Sequence, residues 1–137
     1  PGKFYLASEF NLGMPGATGS HLAEFMAWDP VAKKKVWSIE EPNMWAGGAM
    51  TTAGGLVFYG NLDGVLRAVN AKTGEVLWQF RMGTGITQSP MTYTIDGKQY
   101  VAIVAGRLKG PPSFFGKIGQ KMMDVSPEGG MLMVFGL

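Results

Sequence analysis

The chain has 137 residues, a net charge of +2, no Cys and one His, so a Cys-containing zinc site and a Cys nucleophile are excluded, and the charge is too small to argue for nucleic acid or a membrane surface. Charged residues make up 16%, against roughly 25% in an average domain, and Gly supplies 21 positions, about twice its usual share. With 46% hydrophobic residues the chain is too apolar for disorder, yet no apolar run approaches the ~20 residues of a membrane-spanning helix.

Low charge and abundant Gly point to buried strands joined by tight turns, an all-β fold. Short aromatic and β-branched runs at residues 4–7, 25–28, 35–39, 56–59, 65–69, 76–80, 91–94, 100–104 and 131–135 read as strands. Asp63-Gly64, Thr73-Gly74, Asp96-Gly97 and Gly129-Gly130 supply turns between them. This spacing favours a sandwich, barrel or propeller over alternating helices and strands. The stretch 106–130 breaks the rhythm with Pro111, Pro112 and Pro127. Within it, Phe114, Phe115, Ile118, Met122 and Met123 sit at roughly helical spacing, which suits a short amphipathic helix. It reads as a cap over exposed propeller edges or as a substrate lid. The chain opens on Pro1-Gly2 without an initiator Met and is expected to be a piece of something longer.

Residues 27–37 repeat at 68–78. Ala27, Asp29 and Trp37 recur as Ala68, Asn70 and Trp78, an offset of 41 residues, which is the length of one four-stranded propeller blade. The unit has a physical logic. A small residue ends a strand where sheets pack, Asp or Asn caps the turn, Thr-Gly supplies a left-handed position, and Trp fills the space between sheets.

The unit Ala-x-Asx-x-x-Thr-Gly-x-x-x-Trp resembles the tryptophan docking motif of pyrroloquinoline quinone (PQQ) dependent alcohol dehydrogenases. Residues 68–78 match it fully, while Ala32 and Lys33 replace Thr and Gly in the first copy. Residues 44–64, from Met44-Trp45-Ala46-Gly47-Gly48 to Leu62-Asp63-Gly64, resemble the segment entering the last complete blade of methanol dehydrogenases. Pro90-Met91-Thr92-Tyr93, residues 97–103 and residues 129–135 resemble the strands that follow. The resemblance runs from about residue 20 to 137.

This resemblance implies an eight-bladed parent propeller, of which the chain would hold two to three blades: about 4–41, 42–82 and an incomplete 86–137 with the long loop 106–130. In the family a strand from the N-terminus of the full chain completes the last blade. The chain would therefore carry open sheet edges, with self-association and the remainder of the propeller as expected partners. The resemblance also implies a periplasmic protein with a cytochrome c as electron acceptor. The basic run Lys33-Lys34-Lys35 is a solvated hairpin tip or a docking point for such an acidic partner.

Candidate cofactor residues follow the same resemblance. Trp45 corresponds to a family Trp beside the quinone, where an indole suits a flat, electron-poor tricycle, and Gly47-Gly48 allow close backbone approach or a tight turn. Methanol dehydrogenases carry Gly-Gly-Trp after the strand that ends near Ile103. Here the segment is Gly106-Arg107-Leu108-Lys109-Gly110, without the Trp, which suggests a divergent alcohol dehydrogenase. Gly106 keeps the backbone approach, and Arg107 or Lys109 is either a cation for the quinone carboxylates or a solvated loop charge. Glu9 or Asn11 stands near a family Asn, and turn chemistry explains Asn11 equally well. His21 is a base candidate whose setting beside Gly19 and Ser20 reads as a loop. No catalytic residue or metal ligand is expected in this chain. The family's Ca²⁺ or lanthanide ligands and its catalytic Asp lie upstream, so the isolated piece is expected to be inactive and without cofactor. Two other readings stand beside the dehydrogenase: a non-enzymatic scaffold propeller of the same repeat type, and a stand-alone β module. The segment Trp45-Ala46-Gly47-Gly48 favours the dehydrogenase, because a scaffold has no need of an inner-rim Trp.

Overall fold

The structure, a computed structural model, describes residues 21–43, 46–107, 120 and 123–136. Among the described residues three antiparallel sheets follow one another along the chain. The first pairs β1 (Ala23–Asp29) with β2 (Lys34–Glu41). The second runs β3 (Ala46–Thr51), β4 (Leu56–Asn61), β5 (Val65–Asn70) and β6 (Val76–Arg81) in chain order. The third runs β7 (Met91–Ile95), β8 (Lys98–Gly106) and β9 (Gly130–Gly136). Every strand pairs with its chain neighbour, so each sheet is an up-and-down meander, and the whole is a partial β-propeller.

All the expected strand runs from residue 25 onward lie within these strands. The run at 4–7 lies outside the described residues. β3 is a strand that the sequence conceals, because Ala-Gly-Gly-Ala has little strand propensity. Of the segment expected to form a helix, only Gln120, Met123 and Asp124 are described, and their backbone is helical.

Stacking order is visible in the burial. The second sheet is covered on both faces, so β4 and β5 are buried almost without alternation. Val57, Tyr59 and Val69 face the first sheet, where Phe25, Trp37 and Ile39 meet them. Phe58, Leu66 and Ala68 face the third sheet, where Val101, Ile103 and Ala105 meet them together with Met131, Met133 and Phe135 of β9. β1 and β9 alternate, since each has one packed face. Their other faces are nonetheless apolar. Leu22, Met26 and Trp28 (56% exposed) lie open on the first sheet, and Val104, Leu132 (65%) and Val134 on the third.

The two repeats share their fine structure. Strand pairing shifts register between Ala27 and Trp28 and again between Ala68 and Val69, the same step of the unit. Asp29 Oδ1 accepts from the amides of Val31 and Ala32 at 2.9 Å, and Asn70 Oδ1 from those of Lys72 (2.9 Å) and Thr73 (3.2 Å). Gly74 has φ +75°, and Lys33, which replaces Gly in the first copy, still adopts φ +52°. Trp37 lies on the second copy's turn: its Nε1 donates to the carbonyl of Ala71 at 3.0 Å. A Cβ on Gly74 would come within 2.7 Å of its ring. Among the described residues no such turn lies opposite Trp78. It packs edge-on against Phe135 of β9, with centroids 5.2 Å apart, and stays 40% exposed.

Two substitutions at equivalent positions should therefore act in opposite directions. Gly74→Ala combines a left-handed backbone with a clash on an indole, and is expected to lower unfolding free energy by about 1–3 kcal/mol. Lys33→Gly relieves the same backbone strain with nothing in the way, and is expected to raise it by up to about 1 kcal/mol, offset in part by unfolded-state entropy. Urea titrations of the two variants against the parent chain read both changes; a loss at position 33 would show that the left-handed turn carries no strain.

Candidate functional site

The alternation along β2 puts Trp37, Ile39 and Glu41 on one face, so a carboxylate follows two apolar side chains into the space between the first two sheets. Glu41 is 2% exposed there. Burying an unpaired carboxylate would be prohibitive, and the second sheet supplies three donors. Tyr59 Oη donates to Glu41 Oε1 at 2.8 Å, Asn61 Nδ2 donates to Oε2 at 2.7 Å, and Arg67 Nη1 donates to Oε1. Arg67 Nη1 also donates to Tyr59 Oη at 3.0 Å. Phe25 stacks on the Tyr59 ring at 3.9 Å between centroids, sealing the cluster from the apolar side. Burial, reinforced by the Glu41 carboxylate, pushes the Tyr59 phenol well above its ordinary value, with Arg67 opposing.

This cluster begins a belt of contacts along one end of the sheets. Asn43 Nδ2 donates to Asp63 Oδ1 at 2.9 Å, tying the segment after β2 to the turn between β4 and β5. That turn is closed by Asn61, whose Oδ1 accepts from the amide of Val65 at 2.9 Å. The segment after β6 lies on the same turn: the amides of Met82 and Ile86 donate to the carbonyls of Gly64 (2.7 Å) and Asn61 (2.9 Å). The end of β8 joins next, with the Gly106 amide on the Gly85 carbonyl at 2.8 Å. Thr84 Oγ1 donates to the Pro127 carbonyl at 2.8 Å and brings in the segment before β9.

The belt carries two of the regions marked for a cofactor. Trp45 and Glu9 lie outside the described residues. The residues flanking Trp45 are described: Asn43 is held as above, and a Cβ on Gly47 would come within 2.3 Å of the Gln88 carbonyl oxygen, so only Gly lets the chain pass. Gly106 and Arg107 stand at the other end of the belt. Arg107 is half-buried, with Nε donating to the Met123 carbonyl at 2.8 Å, Nη1 to Glu128 Oε1 at 3.0 Å and Nη2 to Asp124 Oδ1 at 3.3 Å.

The remaining candidates sit elsewhere. The His21 ring lies between Glu40 (3.2 Å) and Glu24 (3.7 Å) at the start of β1. Lys35 Nζ pairs with Glu24 at 2.8 Å and holds that carboxyl below its ordinary value, while Lys33 and Lys34 are exposed at the hairpin tip. Among the described residues no three His, Asp or Glu side chains converge as a metal site. Arg107 faces two carboxylates. The described side chains therefore do not by themselves make up the donor set of a metal–quinone centre. Glu41 and Arg67 were not candidates from sequence; the signal for them is a charge in phase with inward-facing apolar neighbours, at 37, 39 and 41 and at 65, 67 and 69.

Residues 19–101 match the family described as PQQ: Glucose/ethanol/alcohol dehydrogenase, beta-propeller domain. The chain is 44% identical to the quinohemoprotein alcohol dehydrogenase of Comamonas testosteroni over 116 residues, covering 72% of this chain and 16% of that protein. It is 44% identical to 1-butanol dehydrogenase (cytochrome c) of Thauera butanivorans, covering 77% of this chain and 16% of the relative. Among solved structures, a europium-containing methanol dehydrogenase superposes with a TM-score of 0.76 at 34% identity, covering 88% of this chain and 24% of that one. The chain thus spans a sixth to a quarter of the length of these proteins.

Removing the buried carboxylate should be far more damaging than its position at a strand end suggests. Glu41→Ala leaves Arg67 without its counter-ion and is expected to lower unfolding free energy by about 3–5 kcal/mol. Tyr59 adds a pH dependence. The folded state keeps the phenol protonated to higher pH than the unfolded chain does, so its contribution is complete below about pH 10 and is lost as pH rises further. Denaturant midpoints between pH 8 and pH 11 should fall less steeply for Tyr59→Phe than for the parent; equal slopes would count against the buried phenol.

Proposed function

The chain belongs to the β-propeller family of PQQ-dependent glucose, ethanol and alcohol dehydrogenases, and from that premise we propose that it forms a C-terminal section of a quinoprotein that oxidises primary alcohols. The three sheets would be its blades, about 4–41, 42–82 and an incomplete 86–137. PQQ, with Ca²⁺ or a lanthanide held by residues outside this chain, supplies the hydride acceptor when bound. Trp45 and the Gly106 backbone would flank the quinone, with Glu9 and Arg107 assigned to the same region. The observation that carries this reading is the belt, which draws the neighbours of Trp45 and the end of β8 to one end of the sheets.

The open apolar faces on both flanks support the rest of a propeller as the partner. A terminal repeat meant to face water carries a polar outer face, whereas Met26 and Trp28 on one side and Leu132 and Val134 on the other are exposed apolar side chains. By itself the chain would self-associate through these faces and sheet edges, and it would be inactive. A cytochrome c acceptor fits the relative named 1-butanol dehydrogenase (cytochrome c), and a periplasmic location completes the proposal.

Sedimentation of the 137-residue chain, followed by fluorescence titration with PQQ and Ca²⁺, tests the incompleteness. Oligomers without saturable quenching are expected, and a monomer that binds PQQ tightly would overturn it. In the longer protein carrying this segment, Trp45→Ala is expected to weaken PQQ binding by about tenfold or more. If that protein binds no PQQ at all, the scaffold reading replaces the dehydrogenase.

A further inference from the structure

Parts of all three sheets come together at the end of β4, and a single residue makes most of the joins. Asn61 is the last residue of β4 and is 3% exposed. Across the ladder its partner is Ala46, the first residue of β3 and the one after Trp45. Its Nδ2 donates to the Glu41 carboxylate of the first sheet at 2.7 Å, and its Oδ1 accepts from the Val65 amide of β5 at 2.9 Å. Its carbonyl accepts from two amides, that of Gly64 in the turn at 3.0 Å and that of Ile86, on the way to the third sheet, at 2.9 Å. Ile86 is fully buried, and two residues on, the Gln88 carbonyl lies against Gly47. One residue therefore meets the exit of β2, the entry of β3 and the approach to β7.

The chemistry at this point admits few side chains. Glu41 needs a donor and the Val65 amide needs an acceptor, both from the same buried group. A carboxamide offers them from two atoms of one plane. A carboxylate has no donor, and a hydroxyl must serve both neighbours from one oxygen. Glu41 is also held by Tyr59 and Arg67 through its other oxygen, so it is not free to retreat from a misfit at position 61. The movement then falls on Asn61 itself, whose carbonyl carries Ile86.

We propose that Asn61 is a positioning residue for the candidate cofactor region. It sets the chain on either side of Trp45 against the segment leading to β7 and, through Gly85, against Gly106. This rests on the reading under which Trp45 and Gly106 flank PQQ.

The test has two arms that fail separately. Asn61→Asp keeps the shape and the acceptor for Val65, and turns the donor into a second carboxylate oxygen against Glu41. Adding Glu41→Gln reverses the pair and restores one donor to the contact. In the 137-residue chain, hydrogen exchange of the Ile86 and Gly106 amides is expected to accelerate by about tenfold or more in Asn61→Asp, and to return to within about threefold of the parent in the reversed pair. Neither amide is bonded to the altered side chain. Unchanged exchange at Ile86, or acceleration no greater there than across the β7–β8 hairpin, overturns the junction. Should Asn61→Asp fail to fold, the reversed pair decides: parent-like exchange supports the junction, and a second failure overturns it. In the longer protein carrying this segment, the PQQ dissociation constant, read by fluorescence, is expected to rise about tenfold or more in Asn61→Asp and to recover to within about threefold in the reversed pair. An unchanged constant in a variant whose Ile86 amide has loosened overturns the positioning role. A parent that binds no PQQ defeats the dehydrogenase reading and not the junction, which the exchange arm decides.

Discussion

An antiparallel sheet with apolar side chains on both faces needs a neighbour on each side, and the second sheet of this chain has both. That two-sided burial organises the molecule. It makes β4 and β5 the most buried strands, it turns one face each of the first and third sheets inward, and it leaves their outer faces apolar. Apolar contact alone is indifferent to register, since a flat sheet slides on another at little loss. Trp37 removes that freedom. Its ring lies on the Gly74 turn and its Nε1 reaches one particular carbonyl, so the first two sheets meet in one alignment.

Glu41 adds a second condition on the same interface. A buried carboxylate with three donors from the opposite sheet adds little net stability over an apolar replacement, but any misalignment strands it. Trp37 and Glu41 lie on the same face of β2, four residues apart, and contact opposite ends of the second sheet: the turn after β5 and the end of β4. Two fixed points define a line, which is why the segment leaving β2 passes over the β4–β5 turn in a defined way. The candidate cofactor region grows from that anchored exit.

The strands were legible where side chains carried the signal. Aromatic and β-branched runs mark them, and the repeat of Ala, Asx and Trp marks the unit that recurs from the first sheet to the second. β3 was not legible, because Gly47 and Gly48 are chosen for what passes beside them, not for strand propensity. Glu41 stands beside Glu40 in the sequence, yet only Glu40 is exposed. A period of two from Trp37 would have separated them. Arg107 was legible as a cation but not in its use, since its acceptors lie 16 to 21 residues further on, across a stretch with no strand pattern. Trp45 and Glu9 rest on resemblance alone, and the described residues show only how the neighbours of Trp45 are held.

The meander topology has a kinetic side. Within each sheet the pairing strands are neighbours in the chain, so most of their hydrogen bonds close short separations and form early, while among the described residues β8 and β9 are the sheet neighbours furthest apart in sequence. During synthesis from the N-terminal end, the first sheet emerges with its inward face uncovered and must wait for β4 and β5 to arrive. Assembly is then a relay in which each sheet shelters the one made before it. β9, which pairs with β8 across the widest separation in sequence, is expected to join its sheet last.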